Sequence, residues 1–383
     1  MEGHSLALSL YIHVPFCLRK CHYCDFVSYP YDPEAAGRYR EALLQEMALY
    51  RERLTPEERR LKTVFIGGGT PTCLPASTLE DILRASRRYF HWLPEVEVTV
   101  EANPGTVDGE KLAVLRRAGV NRLSLGVQAC QEHLLKLLGR IHTFEQAVEA
   151  VKLARRAGFD NLGVDLIFGI PGQTQDQWRS CLEKVLELHP EHISTYSLMI
   201  EEGTPLAEAV DEGRVTPCDE ELELAMYRQA IHTLTARGYE HYEISSFARP
   251  GYRCRHNLTC WQNRTYLGLG PAAHSYRGNV RYYNVGSLPE YRARVRKGEL
   301  PVEGREQITP SIAMGETVFL GLRLLEGVDL EAFASRFGRR LEDVYGERLE
   351  RLCRQGLVEI SSGHLRLTGR GLPLANRVFA EFV

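Results

Sequence analysis

The chain has 383 residues, 44% hydrophobic and 25% charged, enough for one large domain and a smaller one with ample core. A formal net charge of −3 argues for no general nucleic-acid binder, and no apolar run approaches the roughly 20 residues of a membrane-spanning helix. The start, MEGHSLALSLYIHVP, lacks the basic segment of a secretory leader, and ten cysteines are too sparse for a disulfide scaffold, so a reducing cytoplasm with one local metal site is expected.

Through the first 245 residues, short β-branched runs alternate with stretches of helical spacing. Strands are predicted over 6–14, 62–67, 95–101, 121–127, 161–169 and 192–200. Helices fill the gaps, such as GRYREALLQEMALYRERL before the second strand and QDQWRSCLEKVLEL before the sixth. A faint repeat (RRAGVNRLSLG, RRAGFDNLGVD, TARGYEHYEIS) places a helix end, a glycine and a strand in turn, with Gly119, Gly158 and Gly238 at the left-handed helix caps. Successive βα units predict a parallel sheet with right-handed crossovers. Six units fall short of the eight of a closed barrel, so the expected α/β fold is a partial (β/α)6 barrel, with a doubly wound open sheet as the alternative. Residues 1–245 form this core. Residues 246–302, rich in Gly, Asn, Tyr and Arg, read as a loop-rich connector. Residues 303–383 suggest a small helical domain with a winged-helix-like β-wing, whose usual nucleic-acid role the charge does not support.

Three features carry chemistry. Cys17, Cys21 and Cys24 lie on one short loop after the first strand, where three thiolates converge on a soft metal centre. An iron–sulfur cluster is favoured; zinc would need a fourth ligand, such as His13 or His22. GGGTPT at 67–72 follows the second strand. It is neither a P-loop nor GxGxxG, but its glycines allow close backbone approach to a ligand. Glu101, Gln128 and Asp165 then stand at or near the ends of strands three, four and five, where the active sites of βα barrels are built.

Together CxxxCxxC, GGGTPT, VEANP, SLGVQ and DLIFGIPGQT, in this order, resemble the radical S-adenosylmethionine (SAM) superfamily. Within it they are similar to the HemN/HemW branch, the oxygen-independent coproporphyrinogen III oxidases and their relatives. The resemblance extends over LSLYIHVPFC, HNLTCW, YLGLGPAAHS and GLRLLEGVDL, essentially the whole chain. It implies that Cys17, Cys21 and Cys24 hold three irons of a [4Fe–4S] cluster, the fourth iron being completed by the amino and carboxylate groups of SAM. Reductive cleavage of SAM to a 5′-deoxyadenosyl radical is the superfamily's chemistry. By the same resemblance Tyr11 flanks cluster and SAM, and Gly68, Gly69 and Thr70 meet the methionyl amino end. Glu101, Gln128, Arg140 and Asp165 hold carboxylate and ribose, and Met199 and His274 fall at the adenine.

Two functions compete within this resemblance: the oxidase, which decarboxylates two propionates, and a haem chaperone that delivers haem to acceptor haemoproteins such as respiratory-chain enzymes. The oxidases resemble CxxxCxxCxC, whereas this chain has Phe26 at the last position, as the chaperone group does. The oxidases also carry an extra N-terminal segment, while only ten residues precede Tyr11 here. HNLTCW resembles the HNxxYW motif used for haem, which implies His256 as iron ligand and Trp261 against the macrocycle. Cys260 replaces the tyrosine; it and Cys254 are further thiol candidates. The expectation is a cytoplasmic haem chaperone with a [4Fe–4S] cluster, SAM, haem and an electron donor, without coproporphyrinogen oxidase activity. Cleavage of SAM and peripheral membrane contact stay open, as does a related haem-modifying radical SAM enzyme.

Overall fold

A computed structural model describes residues 7–382. The first residue of the strand expected over 6–14, and most of the stretch preceding Tyr11, lie outside the described residues. Six parallel strands run in sequence order: β1 (Leu8–Val14), β2 (Arg60–Gly68), β3 (His91–Ala102), β4 (Arg122–Gln128), β5 (Leu162–Phe168) and β6 (His192–Ser197). A doubly wound sheet would reverse strand order at its first strand. Here the order is monotonic, so successive right-handed crossovers put their helices on one face and the other face is the inside of an open barrel. Among the described residues the twelve-stranded sheet does not close on itself.

The crossover helices begin where side chains cap their first turns. Asp32 accepts from the Ala35 N–H at the start of α1 (Pro33–Arg53). α2 (Ala76–Tyr89), α3 (Gly109–Arg117) and the short α4 (Glu132–Leu137) follow. Thr143 with Gln146, and Thr174 with Gln177, form capping boxes on α5 (Phe144–Arg156) and α6 (Gln175–Leu186). Gly119, Gly158 and Gly238 all have positive φ just past helix ends.

Strand alternation separates the two faces of the sheet. Leu8, Leu10, Ile12 and Val14 on β1, Val64 and Ile66 on β2, Val98 and Val100 on β3, and Leu123, Leu125 and Val127 on β4 are buried against the helices in the main core. The intervening residues, including Ser9, Tyr11, His13, Thr63, Glu97, Glu101, Ser124 and Asp165, point inward. A wholly parallel sheet normally buries apolar residues on both faces; a polar inner face marks an interior built for a ligand.

One expectation needs correction. Residues 246–302 are not loop-rich. After α7 (Pro205–Asp211), α8 (Glu220–Ala236) and β7 (Glu240–Glu243), this stretch carries β8 (Ser246–Ala248), α9 (Arg255–Trp261), β9 (Tyr266–Leu269), β10 (His274–Arg277), β11 (Val280–Asn284) and α10 (Leu288–Arg296), and β12 (Val302–Gln307) begins at its end. β9 pairs in parallel with β1, and β10, β11 and β12 extend that edge antiparallel. Elements of three to nine residues are too short to display a period, and their partners lie far away in sequence. Outside the cysteine loop, Cys130 and Cys181 lie side by side with Cα atoms 5.3 Å apart across 51 residues, where the segment after β4 meets α6.

Beyond β12, α11 (Pro310–Gly321), α12 (Leu330–Phe337), α13 (Leu341–Arg354) and a three-stranded wing enclose a second hydrophobic core around Val318, Phe333, Leu352 and Leu365.

Candidate active site at the barrel mouth

The cysteine loop is pinned at the C-terminal end of β1. Tyr29 and Tyr31 donate their N–H groups to Pro15 and Cys17 carbonyls. His22 anchors the loop's centre to α4: its N–H donates to Leu138 O at 3.0 Å, and its Nδ1 lies 2.9 Å from Leu137 O. Both ring nitrogens of His13 are engaged, Nδ1 with the Tyr11 hydroxyl at 3.0 Å and Nε2 with Val27 O at 2.9 Å. His13 is therefore not a free ligand for a zinc ion. Among the described residues no three His, Cys, Asp or Glu side chains form a set for a single metal ion. A four-iron cluster instead gives each thiolate its own iron, so its ligands need not converge on one point.

Cys17, Cys21 and Cys24 are half-buried and carry no disulfide. Burial raises the Cys17 and Cys24 thiols, and the neighbouring cysteines add to it. Two donors meet the sulfurs: the Thr70 hydroxyl lies 3.6 Å from Cys17 Sγ, and Arg140 Nη1 lies 3.4 Å from Cys21 Sγ. Donors aimed at sulfur suit thiolate ligands of a cluster.

The glycine loop follows from close approach. Gly68 has φ +106°, and a Cβ there would stand 2.4 Å from His13 Nδ1; at Gly69 it would meet Phe16 O at 2.5 Å. The bare backbone lets Gly69 N and Thr70 N donate to Val14 O and Phe16 O, docking this loop on the base of the cysteine loop.

Glu101 Oε2 accepts from Gly68 N at 3.2 Å. Burial, reinforced by the Asp165 carboxylate, pushes the Glu101 carboxyl up to about 8. Asp165, also raised by burial, accepts from the Ser124 hydroxyl at 3.0 Å. Gln128 ends β4 with φ 67°, a left-handed conformation uncommon outside glycine. Its Oε1 is buried without a hydrogen-bond partner, an acceptor awaiting a donor at the mouth. A cleft lined by Leu18, Cys21, Thr70, Asn103, Arg140 and Ile141 opens beside these groups. The donor set, the orphaned Gln128 oxygen and the glycine cradle together fit a cluster with a small polar cofactor.

Tyr11 stacks on Phe65 within the barrel, and burial raises its phenol. Met199 is 63% exposed beyond β6, and His274 stacks on Tyr283 in the edge hairpin, so neither is drawn into the interior. Phe26 is 59% exposed on the cysteine loop.

His256 occupies the opposite end. Glu97 accepts from the N–H groups of Arg255 and His256, both at 3.0 Å, fixing the start of α9 under the barrel. The ring is 6% exposed; Thr63 Oγ1 lies 2.9 Å from Nδ1, and Phe65 stacks at 5.0 Å. Burial, with Lys62 and Arg122 adding, lowers its pKa to about 3. Register places Ser9, Thr63 and Glu97 in one layer, with His13 and Gly67 two layers above, about 13 Å along the strands. Cys254 is buried beside Glu97, and burial pushes its thiol up to about 12. Burial likewise pushes Cys260 up to about 11. Arg323 lies 4.3 Å over the Trp261 ring.

Sequence reasoning passed over Glu97, Arg122 and Asn103. The alternation EVEVTVE already put Glu97 on the same face as Glu101. Nothing local distinguished Arg122, buried at the start of β4, or Asn103, two residues beyond Glu101.

The barrel with its mouth-facing thiols defines a radical SAM protein, and comparison with known proteins agrees. Residues 11–185 match the Radical SAM superfamily and residues 308–374 the HemN C-terminal domain. The chain is 38% identical to heme chaperone HemW of Bacillus subtilis, covering 98% of this chain and 99% of that one. It is 35% identical to heme chaperone HemW of Escherichia coli, covering 98% of each. The fold is that of the coproporphyrinogen III oxidase HemN from Escherichia coli, with a TM-score of 0.86 at 24% identity over 98% of this chain and 90% of that one. The chain belongs to the HemN/HemW family of the radical SAM superfamily, and it is similar over its full length to proteins named HemW.

Proposed function

We propose that the protein is a cytoplasmic haem chaperone. On this reading Cys17, Cys21 and Cys24 hold a [4Fe–4S] cluster and the mouth binds SAM. His256 takes haem for delivery to acceptor haemoproteins, with Trp261 and Cys260 beside it. The observation that carries the reading is full-length similarity to relatives named heme chaperone HemW. Phe26, where the oxidase group has a cysteine, supports the same side. Among the described residues no helix is long and apolar enough to cross a membrane.

When bound, cluster and SAM supply one-electron chemistry. This chain's residues bind and orient them: Gly68, Gly69 and Thr70 offer backbone and hydroxyl groups to the amino end, and Arg140 offers a guanidinium to the carboxylate. Glu101 and Asp165 face the ribose, Gln128 supplies its unpaired oxygen, and Tyr11 walls the interior. Met199 and His274 stay outside the interior and would meet an adenine only at the rim. At the base, Thr63 takes Nδ1 of His256, which leaves Nε2 for iron. Burial keeps the imidazole neutral, the state that ligates.

Two assays test this. The protein, reconstituted anaerobically, is given haem and an apo-haemoprotein; transfer is expected, and His256→Ala is expected to weaken haem binding with iron and sulfide content unchanged. The second reading, coproporphyrinogen III oxidase, draws on the shared fold. Stoichiometric protoporphyrinogen IX from coproporphyrinogen III, reductant and SAM would establish it and displace the chaperone.

A further inference from the structure

The two donors at the thiols are joined by one side chain. Asn103 Oδ1 accepts from Arg140 Nη2, and Asn103 Nδ2 donates to Thr70 Oγ1 at 2.8 Å. A guanidinium has only donors, so the amide oxygen must face Arg140 and the amide nitrogen must face Thr70. Thr70 Oγ1 then receives a hydrogen from Asn103 and turns its own toward Cys17 Sγ. Arg140, also held by Gly126 O at 2.6 Å, points its other nitrogen at Cys21 Sγ. The polarity of this chain of hydrogen bonds is set by chemistry, and Asn103 is its pivot. Gly126 is part of the device: a Cβ there would stand 2.7 Å from Asn103 Oδ1 and 3.1 Å from Arg140 Nη2.

We infer that Asn103 is a positioning residue that sets the cluster's reduction potential, by aligning the Thr70 hydroxyl and the Arg140 guanidinium as donors to the Cys17 and Cys21 sulfurs. This rests on the reading of the three cysteines as cluster ligands. Hydrogen bonds to cluster sulfurs stabilise the more negative, reduced state and raise the potential. Asn103→Asp keeps the size and an acceptor for Arg140 but offers Thr70 only acceptors. The Thr70 hydrogen then turns to the new carboxylate, and Cys17 loses its donor. Thr70→Val deletes the same hydrogen without altering charge, and Thr70→Ser restores it.

The experiment is an EPR-monitored redox titration of anaerobically reconstituted full-length protein, with iron and acid-labile sulfide measured on each sample. Thr70→Val is expected to lower the ratio of reduced to oxidised cluster at fixed potential about tenfold, a downward shift of about 59 mV for one electron. Thr70→Ser is expected to match the parent. Asn103→Asp is expected to shift downward, and Asn103→Asp with Thr70→Val is expected to shift no further than Asn103→Asp alone. Thr70→Val at the parental potential with full iron content overturns the inference. So does a double variant whose shift is the sum of the two single shifts, because Asn103 would then act by its added charge and not through Thr70. Absence of iron and sulfide from the reconstituted parent would instead overturn the cluster reading itself, a different outcome.

Discussion

Glu97 should be the residue on which the base of the barrel depends. Its carboxylate accepts from two backbone N–H groups at the start of α9 and lies beside the buried Arg122. In Glu97→Ala both N–H groups lose an ionised acceptor, each such bond contributing about 1.5–3 kcal/mol. The gross loss of roughly 3–6 kcal/mol is partly offset because the carboxylate no longer has to be desolvated. A net cost of about 3 kcal/mol is consistent with removal of one partner from a buried charged cluster. At roughly 1.2 °C per kcal/mol for a chain of 383 residues, the melting temperature should fall by about 4 °C. Glu97→Gln keeps one acceptor and should fall about half as far. Calorimetry or thermal circular dichroism reads the difference. A Glu97→Ala protein melting within about 1 °C of the parent would falsify the argument that this side chain holds α9, and with it the base layer, in place.

Four further outcomes follow from the same geometry. Glu101 is raised from 4.5 to about 8, so its contribution to stability is fully present below pH 4.5 and is lost as pH rises through about 8. Glu101→Gln, which stays neutral, should melt above the parent near pH 9 relative to its position near pH 5; parallel pH profiles would contradict this. His256 is lowered from 6.5 to about 3, so its contribution is present above pH 6.5 and lost as pH falls through about 3; His256→Gln should flatten that acid limb in thermal melts. Because the His256 ring is 6% exposed, iron ligation requires α9 to open, and hydrogen exchange of residues 255–261 should accelerate when haem binds; unchanged protection in the haem complex would sink the ligand assignment. Gly126→Ala should retain the cluster's iron while lowering SAM affinity at least about tenfold in equilibrium binding, since its methyl group displaces Asn103 and Arg140.

The barrel was legible because its strands alternate within single segments. LSLYIHV and RLSLGVQ each place apolar residues on the helix side and polar ones inside, so strand, face and inward chemistry can be read together. The cysteine loop was legible because its thiols are neighbours in sequence. What escaped was assembled from a distance. β9 looks like loop until β1 is known to lie beside it, and Cys130 meets Cys181 only after β4 and α6 are packed. His256 and Glu97 are 159 residues apart, so HNLTCW announced a motif but not that its histidine would lie under the barrel. Asn103 was hidden differently: the motif VEANP displays it, but only the positions of Thr70 and Arg140 show that an amide, with one donor side and one acceptor side, is the group both neighbours require.

The polar interior explains why the two ends of the barrel differ. A buried polar group costs stability unless it is paired, and at the base the pairing is mostly internal: Glu97 is met by two N–H groups, His256 by Thr63, and Ser9 by Thr259 at 3.0 Å. This closes α9 against the sheet and makes the base a plug. At the mouth the pairing is incomplete: Gln128 Oε1 has no partner, and Glu101, which accepts from Gly68 N–H, holds a proton at neutral pH. Arg122 Nε and Trp261 Nε1 are also buried without partners, so the contrast rests on the groups around His256: a ligand there must first displace bonds already made, whereas the free Gln128 oxygen can take a polar ligand at the mouth directly. SAM should therefore bind a nearly finished site, and haem, if it reaches His256, should bind only with α9 displaced, which makes haem uptake the slower of the two associations.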